Sequence, residues 1–159
     1  MRRTPLNSIQ QSLRCEDLSV SSANSVSVNH LVVVKDFMSQ PPITVNSATS
    51  VADACKLMGE KHVGSILVSH KGVVNAIFTE RDLLSRVVPE KRDLREGTVG
   101  AYASSPLITV AATTDVKEAA RIMTEMKVRR LVVVHDGKPI GVFTAADLAK
   151  ATGKLPLDL

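Results

Sequence analysis

The stretch GVFTAADL at residues 141–148 decides the fold, because a near copy, AIFTERDL, occupies residues 76–83, 65 positions earlier. In both copies an apolar, strand-like run ends at Phe-Thr and a helical pattern follows. Sliding the chain by 65 positions aligns residues 34–84 with 99–149 without a gap, and about one residue in three is identical. Average composition gives far fewer identities by chance. The chain therefore contains a tandem repeat.

Each copy predicts the same order of elements. Ile-Thr-Val forms a short strand after proline, and a helix with apolar residues at i, i+3, i+4 and i+7 comes next. The runs SILVSH and RLVVVH predict the following strands, each ended by a turn at Gly72 or Gly137. A third strand and a second helix complete the copy. Because one β-α-β-β-α unit has little core of its own, we expect an α/β (α+β) fold with the two units packed sheet to sheet by pseudo-two-fold symmetry.

The first helix of each copy carries a start signal. Ser50 and Asp53 have the spacing of a capping box, in which two side chains satisfy the free N–H groups of a helix start, and so do Asp115 and Glu118. Cys55 falls on the apolar stripe of its helix, which predicts a small buried core residue.

Composition limits the classes of function. The chain has 159 residues, a net charge of +4, no Trp, one Tyr and three Phe. So few aromatic residues and the absence of a basic stripe disfavour nucleic acid as a partner. No apolar run approaches the ~18 residues of a membrane span, and two cysteines without a Cys-x-x-Cys pair suit a reducing compartment. We expect a soluble, cytoplasmic protein.

The chain ends differ from the repeats. Residues 1–30 are rich in serine and lack periodicity, which predicts a flexible tail. Because this segment also contains Arg2, Arg3 and Arg14, an organellar transit segment stays the alternative, although Glu16 and Asp17 are unusual in one. Residues 151–159 are predicted to be a C-terminal tail.

The repeated Thr-x-x-Asp lies where a strand becomes a helix. A helix start has free N–H groups and partial positive charge, which suit a phosphate, and the Thr144 hydroxyl adds a donor. Asp147, one turn on, has two oxygens that can accept from the two hydroxyls of a ribose. Gly141 lacks a Cβ that would keep a ligand from the backbone. The alternative is that Thr144 and Asp147 merely cap the helix.

The tandem unit resembles the CBS domain pair, or Bateman module. The motifs that carry the resemblance are Pro-x-Ile-Thr-Val at 41–45, Val-Gly-Ser-Ile at 63–66, Val-Arg-Arg-Leu at 128–131 and Gly-x-x-Thr-x-x-Asp at 141–147. It implies a first repeat at 31–88, a charged linker at 89–98 and a second repeat at 99–150.

The resemblance implies a cleft between the repeats that binds an adenosine-containing ligand: AMP, ADP, ATP, NAD or S-adenosylmethionine. Asp147 would hold the ribose and Thr144 the phosphate, while Arg129 and Arg130 neutralise the phosphates. Two adjacent cations beside a helix start also favour an anion on their own account. The residues implied to line the adenine side are Pro42, Ile43, Val63 and Gly64.

The pseudo-symmetric cleft differs in sequence. It would be formed by Thr79, Asp82, Ile108 and Val128. In place of the arginine pair the first repeat has Gly64 and Ser65, and in place of Gly141 it has Ala76. We therefore expect this second cleft to bind weakly or not at all.

No catalytic set accompanies the clefts: the sequence has no P-loop and no nucleophile–base pair, and His70 and His135 have no neighbouring metal ligands. Because the two repeats use up the chain, we expect a stand-alone regulatory sensor, without catalytic cofactor, that modulates a separate partner. A homodimer is implied, with candidate contacts at Leu83, Leu84, Val87 and Val88, for which a place in the core of the same chain is an equal alternative. The alternatives are a structural dimerisation module with vestigial clefts and, less favoured, a nucleic-acid binder.

Overall fold

A computed structural model of the chain describes residues 32–153. Within them lie two three-stranded sheets with helices, so the expected α+β fold is confirmed. The serine-rich segment at 1–30 lies outside the described residues, as do residues 154–159. Residues 151 and 152 belong to the last helix and Ala151 is fully buried, so the second repeat extends past residue 150.

The two repeats have matching elements. The first contains β1 (Thr44–Asn46), α1 (Val51–Glu60), β2 (Ser65–His70), β3 (Val73–Thr79) and α2 (Glu80–Asp82), and α2 continues into a π-helical turn (Leu83–Val87) and a 3-10 turn (Val88–Glu90). A short helix, α3 (Val99–Tyr102), precedes the second repeat, which contains β4 (Thr109–Ala111), α4 (Val116–Glu125), β5 (Arg130–His135), β6 (Lys138–Thr144) and α5 (Ala145–Thr152). The expected bounds of β2 and β5 are confirmed, and β1 and β4 begin one residue later than expected.

The sheets share one topology. The middle strand pairs in parallel with the short strand and antiparallel with the last strand of its repeat. The register places Ser65 opposite Thr79 in the first sheet and Arg130 opposite Thr144 in the second. The start of each middle strand therefore lies beside the threonine that begins the last helix.

Each repeat is completed by a segment that precedes the other one. Val34 and Met38 are buried in the core of the second repeat, while Val99 is buried in the core of the first. Backbone bridges extend the exchange, since Ser39 pairs with β6 and Ser104 pairs with β3. Sequence analysis missed this exchange, because sequence periodicity does not report which distant segment covers an apolar face.

The middle strands bury side chains on both faces. Ile66 and Val68 contribute to the core under α1, whereas Leu67, which alternation points to the opposite face, is also fully buried. Val132 is buried at the equivalent place in β5. Burial on both faces is expected when two sheets pack against each other around a pseudo-two-fold axis.

The first helix of each repeat is capped at its start, but neither cap is the complete capping box that the sequence predicts. Ser50 Oγ accepts from the Asp53 N–H at 3.0 Å, as predicted, whereas the Asp53 carboxylate accepts from the Ser50 hydroxyl at 2.7 Å instead of from its N–H. Asp115 accepts from the Lys117 N–H at 2.7 Å, one residue earlier than in a capping box. The predicted reciprocal bond from Glu118 is wrong, because its carboxylate binds Arg121.

Candidate functional site

The second repeat brings several predicted residues to one place. Because Arg130 lies opposite Thr144 and the Ala145 N–H donates to the Arg129 carbonyl at 3.0 Å, both arginines adjoin the start of α5. Ser39 exchanges two backbone hydrogen bonds with Val142, each 3.0 Å long. The chain at Ser39 therefore lies antiparallel beside β6, two residues before Thr144.

Thr144 and Asp147 form a complete capping box. Asp147 Oδ2 accepts from the Thr144 N–H at 3.0 Å and from its hydroxyl at 2.7 Å, and the Asp147 N–H donates to Thr144 Oγ1 at 3.3 Å. The capping alternative is therefore real. The single hydroxyl proton of Thr144 is committed to Asp147, so the extra donor that we expected for a phosphate is already in use.

The two oxygens of Asp147 have different surroundings. The residue is 3% exposed, and Oδ2 is held by the cap. Within the described part of the chain, Oδ1 contacts Lys150 Nζ at 3.4 Å, and that lysine side chain is 70% exposed. A buried carboxylate oxygen whose partner is a solvent-exposed ammonium can accept a hydrogen bond from another group at small cost.

Asp82 repeats the cap, but its Oδ1 has different partners from Asp147 Oδ1. Its Oδ2 accepts from the Thr79 N–H at 3.0 Å and hydroxyl at 2.6 Å. Its Oδ1 accepts from Ser104 Oγ at 2.9 Å and lies 3.6 Å from Arg86 Nη1. Ser39, the equivalent of Ser104, is exposed beside the other cleft. In the first repeat the protein itself therefore satisfies the carboxylate.

Arg130 reaches across to the first repeat. Its Nη2 lies 3.5 Å from Glu80 Oε2, and both atoms pack over Gly64. A Cβ at Gly64 would overlap Arg130 Nη2 and lie 2.7 Å from Glu80 Oε2. The structure thus brings Gly64 and Arg130 together as sequence analysis implied, and it adds Glu80, which no sequence signal had singled out.

The chain itself covers Gly141. A Cβ there would lie 2.6 Å from Met38 Sδ and 2.9 Å from the Ser39 carbonyl oxygen. The close approach that requires glycine is made by the segment that leads into β1, not by a ligand. The first repeat has Ala76, which is buried at this position.

The predicted apolar lining residues are half-buried in their own repeats. Ile43 and Val63 pack against the core of the first repeat, and Ile108 and Val128 against that of the second. Pro42 is also half-buried. Contact of these side chains with an adenine stays a prediction.

A groove of about 300 Å³ lies beside Gly64, on the side of the first repeat formed by α1 and α2. Its lining residues are Cys55, Met58, Gly59, His62, Val63, Gly64, Glu80 and Leu83. Cys55 was expected to be a buried core residue, but it is half-buried and lines this groove. Its partial burial raises the pKa of its thiol. Thr144 and Asp147 are not among its lining residues, but Val63 and Gly64, which the resemblance implies for the adenine side of the cleft, are.

Residues 32–153 contain no group of three or more His, Cys, Asp or Glu side chains placed to hold a metal ion. His70 instead shares a 3.0 Å hydrogen bond with Ser47. No helix of this region is long and apolar enough to cross a membrane.

The fold defines a tandem-repeat module in which a Thr-x-x-Asp capping box begins the last helix of each repeat. The family model described as "CBS domain" matches residues 34–89 and again 99–154, which is more than half of the chain. The chain belongs to the CBS domain family.

Known proteins with similar sequences or structures support this assignment. An uncharacterised protein of Methanocaldococcus jannaschii is 34% identical over 114 residues, which cover 69% of this chain and 60% of that protein. The crystal structure of an uncharacterised conserved protein from Pyrococcus horikoshii gives a TM-score of 0.72 at 30% identity and covers 81% of this chain and 97% of the other. The structure of a CBS domain protein from Pyrobaculum aerophilum, solved in complex with AMP, gives a TM-score of 0.66 at 26% identity. The match covers 73% of this chain and 89% of the other.

Proposed function

We propose that this protein binds an adenosine-containing ligand in the cleft at Thr144 and Asp147, and that occupancy changes its affinity for a partner protein. The observation that carries the proposal is Asp147 Oδ1, a buried carboxylate oxygen whose partner in the described chain is an exposed lysine. A ribose hydroxyl could donate to this oxygen while the cap keeps Oδ2. The AMP complex of the Pyrobaculum aerophilum protein supports this ligand class.

The phosphate would be bound by Arg129 and Arg130 rather than by the Thr144 hydroxyl, whose proton is committed. Both arginines adjoin the start of α5, where guanidinium groups can bind phosphate oxygens. The cleft at Asp82 would bind less tightly, because Ser104 and Arg86 already occupy its Oδ1 and the equivalents of the arginine pair are Gly64 and Ser65.

Regulation would act through a partner surface. Leu84 and Val88 are exposed on the helical turns after α2, whereas Leu83 is half-buried and Val87 is buried in the core of the first repeat. We propose that the exposed pair contributes to a homodimer contact. The ligand would alter partner affinity by binding one arrangement of the repeats better than another. The half-buried free thiol of Cys55 suits a reducing compartment such as the cytoplasm.

A structural dimerisation module is the second candidate. The observation that favours it is the capping box, because Thr144 and Asp147 already have structural partners. Such a module would use both aspartates only to start helices, and its stability would not depend on nucleosides.

A ligand panel separates the two candidates. Thermal unfolding is measured with AMP, ADP, ATP, NAD and S-adenosylmethionine; a ligand at 100 times its Kd stabilises the folded state by about 2.7 kcal/mol. Titration calorimetry then compares Asp147→Asn with the matched variant Asp82→Asn. We expect about a tenfold loss of affinity in the first, because the charge-assisted bond is lost, and little change in the second. A panel without any shift favours the structural module, and equal losses in the two variants contradict the preference for the Asp147 cleft.

A further inference from the structure

We propose that Glu80, a residue of the first repeat, sets the phosphate specificity of the cleft at Asp147 by competing with the ligand for Arg130. This inference rests on the proposed function and concerns the charge of the ligand that the cleft prefers. Phosphate-bearing ligands must take Arg130 from Glu80, whereas a nucleoside without phosphate need not.

The geometry supports a defined pair rather than a passing contact. Glu80 Oε2 lies 3.5 Å from Arg130 Nη2, and the arginine side chain is 24% exposed. The pair occupies the space where Gly64 lacks a side chain, since any Cβ there would meet both residues. The backbone of Glu80 is held beside Gly64, because its N–H donates to the Gly64 carbonyl at 3.2 Å.

The pair has no counterpart across the pseudo-two-fold axis. The residues equivalent to Arg130, Glu80 and Gly64 are Ser65, Ala145 and Arg129. All three members of the arrangement therefore occur together on one side, which is the side where Arg130 lies opposite Thr144 in the β5–β6 register.

The charges make Glu80 a competitor. An anion at the start of α5 attracts Arg130, but the Glu80 carboxylate already neutralises part of its charge and repels the anion. The Glu80 side chain is 65% exposed, so it can turn into solvent when phosphate binds. The affinity for AMP is then lowered by the work of separating the pair, while the affinity for adenosine is not.

The transfer of Arg130 from Glu80 to a phosphate would also change a contact between the two repeats. Arg130 and Glu80 belong to different repeats, so a phosphate that takes the arginine removes an ion pair between them. Adenosine and AMP would therefore leave the two repeats differently connected, although both occupy the ribose position.

Titration calorimetry of the full chain with AMP and with adenosine tests the inference. In Glu80→Gln we expect AMP to bind roughly three- to tenfold more tightly, because Arg130 is freed and the repulsion removed, with adenosine unchanged. Glu125→Gln, which makes the same charge change on α4 where the carboxylate binds Arg121, is the matched control and should change neither ligand. In an Arg130→Gln background, Glu80→Gln should no longer raise the affinity for AMP relative to that for adenosine.

The outcomes separate this inference from the proposed function. If wild-type protein binds both ligands and Glu80→Gln leaves AMP affinity unchanged or shifts both affinities equally, the role of Glu80 is refuted and the proposed function stands. If the wild type binds neither ligand, the inference is refuted, and the proposed function fails as well when ADP, ATP, NAD and S-adenosylmethionine also leave thermal unfolding unchanged. An equal gain for AMP in Glu125→Gln would also refute it, because general charge would then explain the effect.

Discussion

The two capping aspartates give a direct stability comparison, because they make the same capping bonds through Oδ2 and differ in the partners of Oδ1. Asp147→Ala removes the two hydrogen bonds that Oδ2 accepts from Thr144, and the remaining contact is with an exposed lysine. Asp82→Ala removes the same two bonds from Thr79 and, in addition, the 2.9 Å bond from Ser104 to Oδ1. We therefore expect Asp82→Ala to be the more destabilising change.

The magnitudes follow from these bonds. Loss of a helix cap costs about 1–2 kcal/mol, and the exposed pair with Lys150 adds little. Ser104 contributes a further ~0.5–1.5 kcal/mol to Asp82, because its hydroxyl loses a partially buried, charge-assisted acceptor. The free energy of unfolding should thus fall by about 1–2 kcal/mol in Asp147→Ala and by about 1.5–3.5 kcal/mol in Asp82→Ala.

Urea denaturation followed by circular dichroism measures the difference, and unchanged m-values show that the folded and unfolded states are comparable. Ser104→Ala supplies the control. It should cost about 1 kcal/mol in the wild type and almost nothing in the Asp82→Ala background, because the two residues share one bond. Equal losses in the two aspartate variants, or a full Ser104→Ala effect without Asp82, would refute the assignment of Asp82 Oδ1 to Ser104.

Two further predictions concern packing and thiol chemistry. Gly141→Ala should lower the free energy of unfolding measured in urea by about 1–3 kcal/mol, because the added Cβ would overlap Met38. Gly59→Ala is the control: it has open space around it and should stabilise α1 by up to about 1 kcal/mol. Equal effects of the two substitutions would contradict the packing of Met38 against Gly141. In a Cys15→Ser variant, iodoacetamide should alkylate Cys55 more slowly at pH 8 than it alkylates a cysteine in a short peptide. The reason is that burial raises the pKa of the Cys55 thiol and so lowers the fraction present as thiolate. A rate equal to that of the peptide would contradict this pKa shift.

The repeat and its strands could be predicted from sequence because they depend on local patterns. SILVSH and RLVVVH gave the bounds of β2 and β5 directly, since each is an apolar run ended by a glycine turn. The exchange of Val34 and Val99 between the repeats depends on contacts distant in sequence, and the alignment shows only that the two valines are equivalent. Periodicity identifies a face that must be covered but not the segment that covers it.

The candidate site was predicted in part for a similar reason. The motif placed Thr144 and Asp147 together at a helix start, and β pairing brought Arg130 beside them. Sequence did not reveal that Met38 covers Gly141 or that Glu80 meets Arg130, because both contacts join segments far apart in the chain. Residue type predicted the local chemistry, and only the fold supplied the neighbours.

Capping and ligand recognition are compatible at Asp147 because they use different oxygens. The cap fixes Oδ2 and thereby orients Oδ1, so a ribose hydroxyl would meet an acceptor whose rotamer is already set, and binding would lose little side-chain entropy. In the first repeat the same cap orients Asp82 Oδ1 towards Ser104. The duplicated motif therefore supplies the same oriented carboxylate twice, and its second oxygen has an exposed lysine as partner in one repeat and the Ser104 hydroxyl in the other.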